Sequence, residues 1–184
     1  HKIAEEKDTE VIAATTELSI TVVRDFSVEI SNCLKRWGYP DAESVRYSWD
    51  IPDFPDIIAA DQKRSDHGKG VRSILHAAFT LSLARYCFNK KLPHPGFVVL
   101  DSPIITYRPP DRHSEVDSLL NESIKADSLP VEIVQSFYKD LQENFPGQII
   151  VMENIDPIEP LEQDATYIKF TKQSNNGRYG FFHQ

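Results

Sequence analysis

Residues 97–101 read Phe97-Val98-Val99-Leu100-Asp101, a short apolar run that ends in an acid. A continuous apolar run of this kind is typical of a strand inside a parallel sheet that is covered on both faces. In α/β proteins, ligands bind at the carboxyl ends of such strands, so the run makes Asp101 a candidate site residue. The pattern alone has low specificity, because many strands end in Asp as a turn residue or helix cap.

The segments around this strand predict an α/β domain. A long apolar segment at 70–90 is expected to form a buried helix, and a tight connection at 91–96 leads from it into the strand. Periodic apolar residues predict two further helices, and short apolar runs bounded by Pro and Gly predict further strands. The expected helices are 1–37 and 129–144, and the expected strands are 44–51, 56–60, 148–152 and 166–170. This order predicts a mostly parallel sheet flanked by helices, with a hairpin at 44–60 and a polar loop at 61–69.

The composition is that of one soluble globular domain. The 184 residues are 40% hydrophobic and 26% charged, and the net charge is −8. An acidic domain is a poor general partner for nucleic acid, although this charge is compatible with a local basic stripe. No apolar run approaches the roughly 20 residues that span a bilayer, and no signal-peptide pattern occurs, so a cytoplasmic protein without a membrane partner is expected. Cys33 and Cys87 lack metal-binding spacing and are expected to be reduced thiols.

A second candidate element lies before the long apolar helix. The loop reads Arg64-Ser65-Asp66-His67-Gly68-Lys69-Gly70-Val71-Arg72. Small residues that lead into a helix leave backbone N–H groups available to an anion, and Lys69 and Arg72 add positive charge. The alternative is a solvated loop with a flexible glycine pair. The loop is not a P-loop, because the G-x-x-x-x-G-K-[ST] spacing is absent from it and from the rest of the sequence.

The order of these elements resembles the C-terminal half of an ABC-type ATPase head. In that family a signature loop, its helix and the Walker B strand follow one another in this order. The likeness is to an uncharacterised subgroup of the SMC-like branch, near DNA-repair and anti-phage defence ATPases, and it covers residues 45–182. Two later stretches add to it: Val151-Met152-Glu153-Asn154 and Gly177-Arg178-Tyr179-Gly180-Phe181.

The resemblance implies a domain organisation and a set of partners. Residues 1–40 would be a helix returning from a coiled coil, and residues 41–184 the C-terminal lobe, with the signature loop, the Walker B strand and a later sensor-like strand. The cofactors would be ATP and Mg²⁺. The partners would be the N-terminal Walker A lobe of the same protein, a second head in a homodimer, DNA through the full assembly, and effector subunits. Hydrolysis would require the joined and dimerised head.

The resemblance also assigns roles to individual residues. Ser65 matches the signature serine, which contacts the γ-phosphate of ATP held by the opposite head. Gly68, Lys69 and Arg72 would complete the nucleotide-binding set. Asp66 and His67 stand where the family has glycines, and the resemblance leaves Asp66 repulsive to phosphate unless it caps the helix. Asp101 matches the Walker B aspartate, the acid on the Mg²⁺ side.

One catalytic position departs from the family pattern. The residue after Asp101 is Ser102, where the family has a glutamate that orients the attacking water, and a hydroxyl is a poor base. Either the head hydrolyses ATP slowly and acts as a nucleotide-gated clamp, or Glu153 supplies the missing carboxylate. Asp111 would stand in for the acid that contacts the second head.

Three other side chains are interpreted without a catalytic role. Arg178 is expected to be a surface arginine, His67 a solvated side chain, and His76 a buried donor to a backbone carbonyl.

Two other functions remain open. The main alternative function is a non-enzymatic α/β protein-interaction module with a helical arm. A metal-dependent nuclease or phosphatase that uses Asp53, Asp56 and Asp101 is the other.

Overall fold

The computed structural model describes residues 18–49, 54–104, 131–154, 165–172 and 177–180, which form a mixed α/β arrangement. Short 3₁₀ turns at Ala42–Ser44 and Arg64–Asp66 join some of the elements. The helices and strands, in chain order, are α1 Ile20–Arg36, β1 Arg46–Ser48, β2 Asp56–Ala59, β3 Gln62–Lys63, α2 Lys69–Lys90, β4 Phe97–Asp101, α3 Val131–Asn144 and β5 Gln148–Met152. No helix in these ranges is both long and apolar enough to cross a membrane.

Helix α1 has both ends defined by its sequence. The Ser19 hydroxyl caps the start by accepting the Val22 N–H at 3.4 Å, and the chain leaves the helix through Gly38 at φ 72°. Phe26, Ile30 and Leu34 lie one turn apart and bury the face that packs on the core. The predicted helix is therefore confirmed from Ile20 to Arg36. It is wrong at Leu18 and Ser19, which are not helical because Ser19 caps the start of α1, and residues 1–17 and the expected coiled-coil connection lie outside the described residues.

The first sheet is antiparallel. Strand β1 pairs with β2, so that Arg46 lies opposite Ile58, and β2 pairs with β3. The predicted hairpin is confirmed with a shorter first strand. The expectation of a loop throughout 61–69 is wrong at β3, because Ala60 and Asp61 both take positive φ, at 47° and 58°, and reverse the chain tightly. Two positive φ values are what a two-residue hairpin turn needs, but this pair lacks the Gly that usually signals one.

Helix α2 forms the centre of the core. It begins one residue before the predicted start, after Gly68, and ends at Lys90, because the next residue, Lys91, takes the left-handed conformation. Its buried side chains pack against α1, the hairpin and β4; the fully buried apolar ones are Ile74, Leu75, Ala78 and Leu81. The helix is not buried around its whole circumference, since His76 and Leu83 are exposed.

The second sheet pairs β4 with β5 in parallel, with Val99 opposite Ile150. The prediction of two parallel strands at these positions is confirmed. The expectation that β4 is covered on both faces is wrong for the described residues, because Val98 and Leu100 face the core while Val99 remains 45% exposed. The predicted strand at 166–170 is also wrong: it is reduced to a single bridge between Phe170 and Arg178.

A buried polar cluster, the Asp140 cluster, joins the three helices; it consists of Arg36, Trp37, Arg85 and Asp140. The Asp140 carboxylate on α3 accepts from Arg36 Nε, from Trp37 Nε1 at 2.8 Å and from Arg85 Nη2 at 2.8 Å. Arg85 on α2 also donates to the Asn144 carbonyl at 3.2 Å. The Asp140 and Arg85 side chains are 2% and 6% exposed, so each charge depends on the others for compensation.

The two cysteines are unpaired, as predicted. Cys33 is fully buried at the edge of the Asp140 cluster, where its sulfur accepts from Arg85 Nη1 at 3.2 Å. Burial raises the pKa of the Cys33 thiol to about 11, and the Arg85 charge opposes this only in part. The thiol is therefore protonated at neutral pH and serves as a packing group, because thiolate is the reactive form.

Candidate functional site

A cleft opens between the start of α2 and the carboxyl end of β4. Its volume is about 370 Å³. The α2 side contributes Arg64, Arg72 and His76, and the β4 side contributes Val99 and Asp101. Arg72 and Asp101, which belong to different sequence motifs, thus line the same opening. The cleft therefore has basic side chains on one wall, and the Asp101 carboxylate and the apolar Val99 side chain on the other.

Arg64 is held in place by an ion pair behind the cleft. Its Nε donates to Asp56 Oδ1 at 2.8 Å, and the same oxygen accepts the Ile57 N–H at 2.8 Å. Arg64 Nη1 lies 3.5 Å from His76 Nδ1. The guanidinium is therefore held by Asp56 of strand β2, and Arg64 is one of the residues that line the cleft. An anchored Arg is well suited to bind phosphate or carboxylate because little of its rotational freedom is lost on binding.

His76 was misassigned from the sequence. We expected it to be buried and to donate to a carbonyl, but it is exposed and lies one helical turn beyond Arg72 on the same face of α2. Its apolar neighbours in the sequence suggested burial, whereas the four-residue interval from Arg72 indicated a shared face. Partial burial lowers the His76 pKa, the Arg64 charge lowers it further, and Asp56 opposes both. The imidazole is therefore mainly neutral at pH 7.

Anion binding in the cleft is expected to strengthen as the pH falls. A bound anion stabilises protonated His76, whose pKa lies below 6.5 in its absence, so protonation and binding reinforce each other in acid. Titration calorimetry with inorganic triphosphate should give an affinity several-fold higher at about pH 5.5 than at about pH 7.5. His76→Gln should remove most of this dependence and the control His67→Gln should retain it. An equal dependence in both variants would place the titrating group elsewhere.

Asp101 lies at the end of β4, and the chain turns sharply after it. Its Oδ1 accepts from the Ser102 hydroxyl at 3.1 Å. Ser102 takes the left-handed conformation at φ 49°, and its N–H donates to the Met152 carbonyl at 2.8 Å. A non-glycine residue in this region costs on the order of 1 kcal/mol, which the bond to β5 offsets. The strand alternation therefore stops at Asp101, and the Ser102 hydroxyl is directed back to that carboxylate.

Glu153 lies directly after β5 and connects the ends of the two parallel strands. Its Oε1 accepts the Ile104 N–H at 2.8 Å, and the side chain is half-buried. Burial raises the Glu153 pKa, and the Asp101 charge adds to the rise, while the N–H groups of Ile104 and Asn154 oppose it. Glu153 is therefore within electrostatic range of Asp101, although it is not among the residues that line the cleft.

The other residues of the predicted signature set lie outside the cleft. Ser65 is exposed and its hydroxyl donates to Asp66 Oδ1 at 3.2 Å. Gly68 is the N-cap residue of α2, and Lys69 is the exposed first residue of that helix. No side chain caps α2, so Asp66 does not have the capping role that would have removed its repulsion.

Other sequence assignments have mixed outcomes. His67 is only half-exposed, and its Nε2 lies 3.0 Å from the Ala59 carbonyl oxygen. Asp56 is engaged by Arg64, which leaves it poorly placed to serve a metal-dependent nuclease or phosphatase. Asp53 and Asp111 lie outside the described residues.

Asp101 is an exposed carboxylate of the cleft, a group of the kind that supplies a single ligand to Mg²⁺. No group of three or more His, Cys, Asp or Glu side chains converges on a metal position in the part of the chain that the structure describes. Mg²⁺ is commonly held by one or two carboxylates together with substrate phosphates and water, so a single exposed carboxylate opposite two arginines is a suitable donor. Such an ion would depend on a bound polyphosphate for most of its ligands.

Comparison with known proteins adds no family to this geometry. No family model matches the chain, and no significant match was found among curated proteins or solved structures. The resemblance to SMC-like heads thus stays a prediction that depends on the order of the motifs and on the residues of the cleft.

Proposed function

We propose that this chain is the C-terminal lobe of an SMC-like ATPase head and completes an ATP–Mg²⁺ site. The supporting observation is that Arg72, from the predicted anion-binding segment, and Asp101, from the predicted Walker B strand, line one cleft. The chain separates them by a whole helix and a connecting turn, so their convergence is a property of the fold.

The cleft chemistry suits a magnesium-bound polyphosphate better than a bare anion. The guanidinium groups of Arg64 and Arg72 would donate to phosphate oxygens, which is the geometry that arginine supplies best. Asp101 on the opposite wall repels a phosphate unless a cation lies between them. Bound Mg²⁺ would supply that cation and neutralise charge on the phosphates.

The remaining assignments follow from the same proposal. The N-terminal Walker A lobe of the same protein would hold most of the nucleotide, and a second head would close over it in a dimer. Ser65 and Gly68 are exposed beside the cleft, on a surface that a second head could contact. In the cytoplasm, ATP binding and hydrolysis would then be coupled to DNA repair or anti-phage defence. The coupling would act through DNA bound by the full assembly and through effector subunits.

The experiment is a calorimetric titration of the chain with inorganic triphosphate, with and without Mg²⁺. We expect binding that is stronger with Mg²⁺, and a loss of about tenfold in affinity for Arg64→Ala and for Arg72→Ala, because each removes a charged hydrogen bond. Asp101→Asn should abolish the gain from Mg²⁺ while leaving metal-free binding intact or improved.

Arg24→Ala is the matched control, since this α1 arginine has a side chain 73% exposed and lies outside the cleft. It should bind triphosphate as the unaltered chain does. Equal losses for Arg24 and Arg72 variants would indicate diffuse charge attraction and would refute a phosphate site in the cleft.

A protein-interaction module is the second candidate, and one observation favours it. The outer face of the β4–β5 pair exposes four large apolar side chains: Phe97, Val99, Ile150 and Met152. Parallel sheets are usually covered on both faces, so this surface is suited to contact another protein segment. If the complete head dimer bound no ATP–Mg²⁺ by calorimetry, this interpretation would replace the ATPase one.

A further inference from the structure

Residues 165–172 and 177–180 form a surface that differs in charge from the rest of the chain. From Ala165 to the end of the sequence there are three cationic residues, Lys169, Lys172 and Arg178, and neither Asp nor Glu. The whole chain carries a net charge of −8. A basic segment in a chain of net charge −8 gives an anionic ligand a local region of attraction.

Aromatic side chains alternate with these cations. Tyr167, Phe170 and Tyr179 are 50%, 47% and 49% exposed, so about half of each side chain is open to solvent. The Arg178 guanidinium lies over the Phe170 ring, 5.8 Å from its centroid. Exposed rings next to cations offer a surface for stacking together with positive charge. Nucleic acid uses both, because its bases stack and its phosphates are anionic, whereas an acidic peptide uses only the charge.

The backbone holds these groups together. The Thr171 N–H donates to the Arg178 carbonyl at 3.0 Å, and the Arg178 N–H donates to the Lys169 carbonyl at 2.9 Å. Gly177 takes φ 77°, and a Cβ there would lie 2.9 Å from the Lys169 carbonyl oxygen. The arrangement therefore requires glycine at 177, which fixes Arg178 and Tyr179 alongside Lys169 and Phe170.

We propose that this aromatic–basic surface, residues 165–172 and 177–180, binds single-stranded nucleic acid. Unpaired bases stack on the exposed rings, and the lysines neutralise the neighbouring phosphates. A single strand is the expected form, because the bases of a duplex are stacked on one another and do not present their faces to a side chain. The site is separate from the cleft, and the proposal does not depend on ATP binding.

The experiment measures fluorescence anisotropy of a labelled oligodeoxythymidylate of about 20 nucleotides at about 50 mM salt, with the full chain. We expect Tyr167→Ala and Tyr179→Ala each to weaken binding about tenfold, since each removes a stacking surface. Lys169→Gln with Lys172→Gln should make the slope of log affinity against log salt shallower by about 0.7 per lost contact. An oligoribonucleotide of the same length distinguishes a preference for RNA from one for DNA.

Phe54→Ala and Lys35→Gln are the matched controls. Phe54 is a 78% exposed ring outside this surface, and Lys35 is an exposed cation on α1. Both variants should bind as the unaltered chain does. Gly177→Ala provides an independent check, because it disturbs the surface without removing an aromatic ring or a charge, and it should weaken binding.

Two results would overturn the proposal. The first is binding of a duplex of equal length as tightly as the single strand, which would indicate general charge attraction without stacking. The second is displacement of the oligonucleotide by polyglutamate at equal charge concentration, which would assign the surface to an acidic protein partner. Circular dichroism of the Tyr, Phe and Lys variants should show unchanged folding, since all of these substituted side chains are exposed.

Discussion

Replacing Asp140 with alanine is expected to lower the free energy of unfolding by about 3–5 kcal/mol. The substitution leaves Arg85, whose side chain is 6% exposed, without its carboxylate, and it also removes the acceptor for the Trp37 indole N–H. Unpaired buried charges and donors cost far more than the pair contributes when intact. Chemical denaturation followed by tryptophan fluorescence measures the change.

Two comparisons make this result specific to the buried cluster. Lys139→Ala, at the neighbouring exposed position with a side chain 72% accessible, should change stability by less than about 0.5 kcal/mol. The double variant Arg85→Met with Asp140→Leu removes both charges and should recover part of the loss. If Asp140→Ala were no more destabilising than Lys139→Ala, the cluster would not be a main source of stability.

Glu153→Gln is expected to lower ATP turnover of the complete, dimerised head by about 10²–10⁴-fold while leaving nucleotide affinity unchanged, provided that Glu153 is the general base. Burial, with a contribution from the Asp101 charge, raises the Glu153 pKa, which makes the carboxylate a better proton acceptor than an exposed glutamate. Glutamine retains an oxygen that can accept the Ile104 N–H, so the hydrogen bond at 2.8 Å can be preserved. Steady-state hydrolysis and calorimetry on the same preparation separate the two effects.

Stability provides an internal check on the Glu153 substitution. A folded-state pKa above the unfolded value of 4.5 means that the native state holds this proton more tightly, so stability is lost as the pH rises above 4.5 through the raised pKa. The glutamine variant lacks this loss and should be no less stable than the unaltered protein at pH 7. Reduced turnover would then report chemistry and not unfolding.

Glu143→Gln, at a half-exposed position on α3, is the control and should hydrolyse ATP normally. Unchanged turnover in Glu153→Gln would reject the role of base. That outcome would favour the other explanation left open by Ser102, a head that hydrolyses slowly and acts as a nucleotide-gated clamp.

The sequence predicted the elements whose boundaries are set locally. Helix α2 and strands β4 and β5 were located because apolar runs end at Gly, Pro or an acid within a few residues. Strand β3 was missed because its turn, Ala60-Asp61, lacks the usual glycine. The strand predicted at 166–170 is reduced to a single bridge at Phe170, because a short apolar run forms a strand only where a neighbouring strand pairs with it.

The site was predicted only in part, for a related reason. Arg72 and Asp101 were identified from motif order, and the structure brings them to one cleft. The position of the Arg64 side chain depends on Asp56, which lies on β2 and carries no signal for this contact in the local sequence. The Asp140 cluster is similar, because its members come from three helices that only the tertiary fold brings together.

The conformation of Ser102 limits how the protein could be engineered. Its φ of 49° and its bond to Met152 place the residue in a turn and not in a continuing strand. A glutamate introduced by Ser102→Glu would therefore leave the backbone in a different direction from a residue in register with β4, and it would also bear the steric cost of the left-handed region. A working carboxylate directly after Asp101 therefore requires a redesigned turn after β4, and the single substitution Ser102→Glu is insufficient.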